Sequence, residues 1–193
     1  MNAPISNLTG KVLSRNWYLL KNWSFRFTRR DGSSVDMKRE VYDRGNGATI
    51  LLINKARRSV ILTRQFRLPT YLNGNVDGML IEAAAGLLDE DAPIDAIRRE
   101  AMEETGYQVG APQPLYDLYM SPGAVTERVH FFVAEVTDTS RTGTGGGVES
   151  ENEDIEVLEL PFDTALDMLR DGRIRDAKTA LLLLHAQVMN LFD

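Results

Sequence analysis

Short apolar runs separated by turn-forming residues recur along this chain, and this pattern predicts β-strands. Near the N-terminus, two such runs at 17–28 and 35–42 flank the tetrapeptide Arg-Asp-Gly-Ser at 30–33, whose Asp-Gly pair is typical of a hairpin turn. The same pattern predicts further strands at 48–54, 59–65, 80–85, 115–120, 129–136 and 155–160. Strands are therefore expected to supply most of the regular structure in the first three quarters of the chain.

A helix is expected in the long interval between the strands at 80–85 and 115–120. Proline is favoured in a first helical turn, and glycine is typical of the residue that ends a helix, so Pro93 and Gly106 are its expected limits. Its buried face is expected to consist of Ile94, Ile97 and Ala101. Two later helices are predicted at 162–170 and 177–192. Strands mixed with helices in this order favour an α/β/α sandwich with a mixed sheet.

Composition and charge narrow the classes of function. A chain of 193 residues can bury one sizeable core, with or without a small extension. Its net charge of −6 argues against nonspecific binding to nucleic acid. No run of about 18 apolar residues predicts a transmembrane helix, and the polar N-terminus lacks the apolar stretch of a signal peptide. We therefore expect a cytoplasmic protein that contacts neither membranes nor nucleic acid.

Any metal site in this chain is expected to use oxygen ligands. There are no cysteines and only two histidines, which disfavours thiolate sites and imidazole-rich zinc sites. Glu100 and Glu104 are four residues apart on the predicted helix, with Glu103 beside them, and like charges at this spacing repel. A divalent cation would offset this repulsion, and Mg²⁺ is commonly held by carboxylates together with substrate phosphates. The alternative is a solvent-exposed acidic helix face, so the flanking residues decide between the two.

The segment around this acidic triplet resembles the Nudix box, the signature of hydrolases that cleave nucleoside diphosphates linked to another group. Its second half reads Arg-Glu-Ala-Met-Glu-Glu-Thr-Gly-Tyr at 99–107 and matches the family pattern closely. Its first half departs from that pattern, because Gly86 is one residue closer to the Arg-Glu pair than in the family. The first glutamate of the pattern falls on Ala92, where Asp91 or Glu90 could replace it in part.

Segments outside the box resemble the GDP-mannose pyrophosphatase branch of this family, namely 38–47, 64–67, 119–123 and 145–149. The resemblance covers nearly the whole chain. It implies a Nudix α/β/α sandwich with a mixed β-sheet, plus an N-terminal antiparallel β-sheet extension. The extension would comprise residues 1–43 and be exchanged between the subunits of a homodimer, and the Nudix hydrolase domain would comprise residues 44–193.

The same resemblance implies an activity. The expected reaction is the Mg²⁺-dependent hydrolysis of the pyrophosphate bond of GDP-mannose to GMP and mannose 1-phosphate. The alternative substrate is ADP-ribose or a broader range of nucleoside diphosphate sugars. Residues of the box do not distinguish guanine from adenine, so the choice of GDP-mannose depends on the segments outside it.

The residues of the metal site are also implied by the resemblance. The expected Mg²⁺ ligands are the carbonyl of Ala85 and the carboxylates of Glu100, Glu104 and Glu153. The catalytic base is expected in the acidic loop at 149–154, where alignment backward from the following strand favours Glu153 and alignment forward from the glycines favours Glu151. Glu103 is a third candidate, because it lies within one helical turn of both glutamate ligands.

Substrate contacts are implied on both sides of the box. The resemblance assigns them to Trp17, Lys38, Arg39, Glu40, Arg67, Ala85, Gly86, Leu87, Glu104, Glu127, Asn152 and Lys178. Arginine suits this role because its planar guanidinium can bind a phosphate through two hydrogen bonds. Trp17 and Trp23 alternate with polar residues, so they are expected either to pack in a core or to form a contact face for a base or a partner.

Overall fold

The computed structural model describes residues 4–192, except for the side chain of Glu151. These residues form two compact units. The first contains the chain up to Asn46 together with Tyr119–Arg128, and the second contains Gly47–Leu118 and the chain from Val129 onward. The expected domain boundary at residue 43 stays a prediction.

The first unit is built on a three-stranded antiparallel sheet, in the order β1-β2-β3. Its strands are β1 (Ile5–Arg15), β2 (Leu19–Thr28) and β3 (Ser34–Asp43). The predicted hairpin between β2 and β3 is confirmed, and the Asp31 carboxylate closes its turn by accepting a hydrogen bond from the Ser33 N–H at 2.9 Å. The N-terminal antiparallel sheet implied by the resemblance is therefore confirmed. Strand β1 was not predicted, because its apolar side chains are separated irregularly by polar residues and glycine.

The segment Tyr119–Arg128, which belongs to the first unit, is hydrogen-bonded to the end of β3. The Tyr42 N–H donates to the Ala124 carbonyl at 2.8 Å, and the Thr126 N–H donates to the Tyr42 carbonyl at 3.1 Å. The Thr126 hydroxyl also donates to the Asp43 carboxylate at 2.9 Å. These bonds explain why a segment distant in sequence belongs to the same unit as the N-terminal sheet.

The second unit contains a mixed seven-stranded sheet with β10, β5, β4, β9 and β8 in that spatial order. Its strands are β4 (Gly47–Asn54), β5 (Ser59–Phe66), β6 (Met79–Glu82), β7 (Ala84–Leu87), β8 (Gln113–Tyr119), β9 (Arg128–Glu135) and β10 (Glu156–Pro161). Strands β4 and β9 are parallel, whereas β4 and β5 are antiparallel. The predicted strands are thus confirmed, with one exception.

The exception is the single strand predicted at 80–85, which is two strands in the structure. Strands β4 and β5 pair only near the turn that joins them, and farther away β7 pairs with β4 while β6 pairs with β5. The residue between β6 and β7 is Ala83, whose N–H donates to the Thr179 hydroxyl at 2.7 Å. Strands β4 and β5 thus diverge into a fork, and β6 and β7, which lead into the box, lie within this fork.

Helices cover both faces of this sheet. They are α1 (Leu68–Leu72), α2 (Pro93–Thr105), α3 (Phe162–Arg170) and α4 (Ala177–Val188). All eight residues of β4 are buried, and successive strand residues point to opposite faces, so both faces must be covered. Ile50 and Leu52 pack with Ile97 and Ala101 of α2, and α4 also contacts β4. The α/β/α sandwich with a mixed sheet is confirmed.

The predicted helix limits agree with the structure for α2 and α3 but not for α4. Helix α2 begins at Pro93, and Gly106 adopts the left-handed conformation that ends it. Ile94 is 36% exposed and so does not belong to the buried face, where Ala96 lies instead. Helix α4 ends at Val188 rather than at 192, and the short helix α1 was not predicted. No helix within residues 4–192 is long and apolar enough to cross a membrane.

Candidate active site

Glu100 of α2 lies directly against Gly86 of β7. A Cβ atom on Gly86 would overlap the Glu100 carboxylate, so only glycine allows this approach without displacing that carboxylate. The side chain of Glu100 is largely buried, and its Oε1 lies 2.9 Å from Nη1 of Arg99. The structure therefore brings together two of the predicted site residues, a metal ligand and the glycine of the box. Leu87, a predicted substrate contact, follows Gly86 and pairs with Gly47 on β4.

Glu104 lies one helical turn further along α2 and is only 2% exposed. Its Oε2 accepts a hydrogen bond from the Ala85 N–H at 3.2 Å. Burial raises the pKa of Glu104 well above its ordinary value, and the negative charges of Glu100 and Glu153 raise it further. The hydrogen bond from Ala85 and the positive charge of Arg67 act in the opposite direction. Glu100, Glu104 and Glu153 thus concentrate negative charge in a buried site, where water screens it poorly.

These residues fit a divalent metal ion. Glu100 and Glu104 offer the hard carboxylate oxygens that such an ion prefers, and a cation between them would relieve their repulsion. Among the described residues, no three histidine, cysteine or acidic side chains already form a group that could hold a metal. The contributions expected from Glu153 and from the Ala85 carbonyl therefore stay predictions.

Arg99 contacts three acidic residues of the box, Asp91, Glu100 and Glu103. Its Nη1 lies 2.9 Å from the carboxylate of Glu100 and 3.2 Å from that of Glu103, and its Nε lies 3.7 Å from that of Asp91. Asp91 thus contacts the box arginine although the family's first glutamate is replaced by Ala92. Glu103, one of the candidate bases, is engaged in an ion pair with Arg99.

The segment Gly145-Gly146-Gly147, here termed the glycine anchor, binds the last turn of α2. The Gly146 N–H donates to the Glu104 carbonyl at 2.9 Å, and the Gly147 N–H donates to the Glu103 carbonyl at 3.0 Å. A Cβ atom on Gly145 would overlap the backbone of Thr105 and the Glu104 carbonyl. The glycine anchor therefore fixes the start of the acidic loop against the helix that carries the box glutamates.

The acidic loop presents Glu153 towards this site. Glu153 Oε2 accepts a hydrogen bond from the Val148 N–H at 3.0 Å, and its negative charge contributes to the raised pKa of Glu104. Asn152 adopts a left-handed conformation after the turn Glu149–Glu151 and is exposed. The side chain of Glu151 lies outside the described part of the chain. The choice of base among Glu153, Glu151 and Glu103 stays a prediction.

Two predicted substrate residues, Arg67 and Lys178, meet at one carboxylate. Arg67 Nε lies 2.6 Å from Oε2 of Glu82, and Lys178 Nζ lies 3.4 Å from Oε1 of the same residue. Lys178 Nζ also lies 2.6 Å from Oδ1 of Asp176. We call these four residues the ion cluster. Burial lowers the pKa of both basic side chains, but the carboxylates outweigh it, so the pKa of Arg67 and that of Lys178 are raised.

Sequence reasoning missed the two acidic members of the ion cluster. Glu82 is a single charge within the apolar run at 79–85, and this isolation was the signal that could have revealed it. Asp176 caps α4, because its carboxylate accepts hydrogen bonds from the N–H and the hydroxyl of Thr179 at 2.9 Å and 2.8 Å. An acidic residue directly before a helix would have predicted this cap.

Comparison with known families agrees with this geometry. The NUDIX domain model matches residues 43–183, and the model described as the GDP-mannose pyrophosphatase NudK N-terminal domain matches residues 4–42. The chain belongs to the Nudix family. It is a Nudix hydrolase, and Nudix hydrolases generally use a divalent metal, which suits the carboxylate pair on α2.

Relatives of this Nudix hydrolase are similar to it from end to end. A GDP-mannose pyrophosphatase of Klebsiella pneumoniae is 56% identical over 193 residues, which cover 100% of this chain and 96% of the relative. The protein of the same name from Pectobacterium atrosepticum is 57% identical over 192 residues, covering 100% and 98%. That of Salmonella typhimurium is 56% identical over 193 residues and is covered completely.

The remaining predicted substrate residues lie in the first unit. Lys38, Arg39 and Glu40 are exposed on β3. Trp17 is 86% exposed and stacks on Tyr18, with ring centroids 5.7 Å apart, so it does not pack in a core. Trp23 does pack, because its ring lies against Gly10 of β1. Glu127 lies 3.5 Å from Arg44 in an ion pair. The roles assigned to these residues stay predictions.

Proposed function

We propose that this Nudix hydrolase cleaves the pyrophosphate bond of GDP-mannose in an Mg²⁺-dependent reaction that yields GMP and mannose 1-phosphate. The supporting observation is the 56% identity to GDP-mannose pyrophosphatases over the full chain. The similarity includes the first 42 residues as well as the box, and residues outside the box are those expected to distinguish substrates within the family.

Mg²⁺ would be held by Glu100, Glu104, Glu153 and the carbonyl of Ala85. When bound, it would supply neutralising charge for the pyrophosphate and a lowered pKa for the attacking water. The chain contributes the arrangement of the ligands. Gly86 leaves room for the Glu100 carboxylate, and the Ala85 N–H orients the Glu104 carboxylate.

The reaction adds a water oxygen to one phosphorus atom while the bond between that phosphorus and the bridging oxygen breaks. The water proton passes to a carboxylate, for which Glu153 is our choice over Glu151 and Glu103. The bridging oxygen leaves as part of the other phosphate product. Arg67 and Lys178 would bind phosphate oxygens, since both carry positive charge beside the box.

We also propose a cytoplasmic homodimer in which residues 1–43 are exchanged between subunits. Exchange would bring Trp17, Lys38, Arg39 and Glu40 of one subunit to the substrate of the other, and Glu127 would accept hydrogen bonds from sugar hydroxyls. Exposed apolar residues on β1 support an association of the sheet with a second copy. A cytoplasmic location is consistent with a nucleotide substrate, which does not cross membranes unaided.

A substrate panel tests the proposed function. Purified protein with Mg²⁺ is given GDP-mannose, other GDP-sugars, UDP-glucose and ADP-ribose, and products are identified by chromatography and mass spectrometry. We expect the highest kcat/KM with GDP-mannose, GMP and mannose 1-phosphate in equal amounts, and loss of turnover with a chelator. A clear preference for ADP-ribose, or turnover unaffected by the chelator, contradicts the proposal.

A further inference from the structure

Glu82 connects the two basic residues expected to bind substrate phosphates, although it is not itself among the predicted site residues. It ends β6 within the fork of the sheet, and its side chain is only 5% exposed. One carboxylate oxygen faces Arg67 Nε at 2.6 Å and the other faces Lys178 Nζ at 3.4 Å. A single buried carboxylate therefore sets the separation between two positive charges.

Arg67 can bind a second oxyanion while it is paired with Glu82. Glu82 accepts its hydrogen bond from Nε, which fixes the plane of the guanidinium. The two terminal nitrogens carry further N–H donors in a fork that matches the oxygens of a phosphate. The Arg67 side chain is partly exposed, and the charge of Glu104 raises its pKa together with that of Glu82. Arg67 is thus the member of the ion cluster that also interacts with a box glutamate, Glu104.

Asp176 supports the other half of the arrangement. It lies 2.6 Å from Lys178 Nζ and is itself fixed as the cap of α4. Arg67 and Lys178 repel each other, an effect that lowers the pKa of Lys178, and the two carboxylates offset that repulsion. With two positive and two negative members, the ion cluster can stay folded and ordered before a polyanion arrives.

We propose that Glu82 is a positioning residue that orients Arg67 and Lys178 as a pair towards the adjacent phosphates of a nucleoside diphosphate. This inference rests on the proposed function, because it concerns the phosphates of the same substrate. Glu82 acts through the two basic side chains and makes no contact with the reacting atoms. Both the negative charge of Glu82 and its distance from Arg67 are needed to orient the guanidinium.

The test measures GDP binding without metal by titration calorimetry, together with kcat and KM for GDP-mannose with Mg²⁺. Glu82→Gln keeps the size but loses the charge, and Glu82→Asp keeps the charge but withdraws it from Arg67. We expect each variant to weaken GDP binding and raise KM by about 10-fold, with a smaller change in kcat. Glu156→Gln is the matched control, because Glu156 pairs with Arg64 across neighbouring strands on the exposed surface, at 3.3 Å.

A double-mutant cycle separates positioning from general support of the fold. In an Arg67→Ala background, Glu82→Gln should weaken GDP binding by no more than about 3-fold, the remainder that acts through Lys178. An equal effect in both backgrounds overturns the inference, and so does wild-type affinity in Glu82→Asp. If Glu82→Gln fails to fold, Glu82→Asp completes the cycle. If the wild type does not hydrolyse GDP-mannose, the proposed function is wrong. The role of Glu82 would still be supported if the effect of Glu82→Gln on GDP binding depends on Arg67.

Discussion

The carboxylate of Glu100 occupies the space in which a side chain on Gly86 would begin. Glycine is thus required at position 86, within strand β7, by its contact with Glu100 of helix α2. This contact connects the first residue of the motif to Glu100, a proposed metal ligand 14 positions later, and it predicts how the site responds when that space is filled.

Gly86→Ala should reduce turnover strongly while the protein remains folded. The added methyl group displaces the Glu100 carboxylate, and a small displacement of a ligand can lower the rate by roughly 10²-fold. Steady-state kinetics with varied Mg²⁺ measure the effect, and circular dichroism measures folding. Gly110→Ala is the control, because nothing lies within 4 Å of a Cβ atom there. Equal activity in both variants would show that Glu100 is not needed at this place.

Glu104→Gln should nearly abolish turnover, by about 10³-fold or more, while it stabilises the metal-free protein. Burial and the charge of Glu100 raise the pKa of Glu104, so its ionised form destabilises the folded state above that pKa. The stability gain of the variant should therefore be present at about pH 8 and shrink as the pH falls towards the ordinary glutamate range, about 4.3.

Thermal unfolding of wild type and variant across this pH range measures the gain. Added Mg²⁺ should raise the midpoint temperature of the wild type and leave that of Glu104→Gln nearly unchanged, since only a bound ligand stabilises. A variant that is less stable than the wild type at about pH 8 would contradict the assigned cause of the pKa shift.

Glu153→Gln should lower kcat by about 10²- to 10⁴-fold with a KM change of only a few-fold, as expected for a general base. Glu151→Gln should have a much smaller effect. Parallel kinetics of these variants and of Glu103→Gln distinguish the three candidates. A loss of kcat in Glu103→Gln alone would place the base on α2, where Glu103 pairs with Arg99.

Gly145→Ala should lower both the unfolding temperature and turnover. The methyl group would overlap the backbone at Thr105 and release the glycine anchor from α2. Gly74→Ala is a matched control, because Gly74 also has a positive φ, of 90°, but nothing lies within 4 Å of its Cβ position. Both variants carry the backbone penalty of about 1 kcal/mol, so the difference between them isolates the anchor. Indistinguishable activities would argue that the anchor does not position Glu153.

Deletion of residues 1–43 should convert the proposed homodimer into a monomer and raise KM for GDP-mannose. The deletion removes the whole three-stranded sheet, including Trp17 and Lys38. Light scattering gives the mass, and Trp17→Ala in the full chain is the comparison that should raise KM without changing the mass. A monomeric deletion variant with unchanged KM would rule out an exchanged sheet that contributes to the site.

The parts of the fold that sequence reasoning predicted are those with local signals. Helix α2 was delimited correctly because Pro93 and Gly106 mark its ends through their own backbone preferences. The division of 80–85 into β6 and β7 was not predictable in this way. It arises because β6 pairs with β5 whereas β7 pairs with β4, and Ala83 between them donates to Thr179, 96 positions away.

The same contrast holds for the site. The box glutamates were found because their spacing and neighbours form a continuous motif. Glu82 and Asp176 each carry a local signal, but their ion pairs with Arg67 and Lys178 join segments that are distant in the sequence and share no motif. Trp17 was ambiguous, because the alternating pattern placed it on a strand, whereas it lies exposed in the bend between β1 and β2.

The glycine anchor also affects how the chain tolerates changes in the length of the acidic loop. The Ile155 N–H donates to the Gly146 carbonyl at 3.1 Å, so the chain between these residues is a closed ring whose ends are fixed to each other. Residues can be gained or lost inside such a ring at little entropic cost, since closure depends only weakly on length. A change of length inside this ring is therefore expected to leave the glycine anchor bound to the last turn of α2.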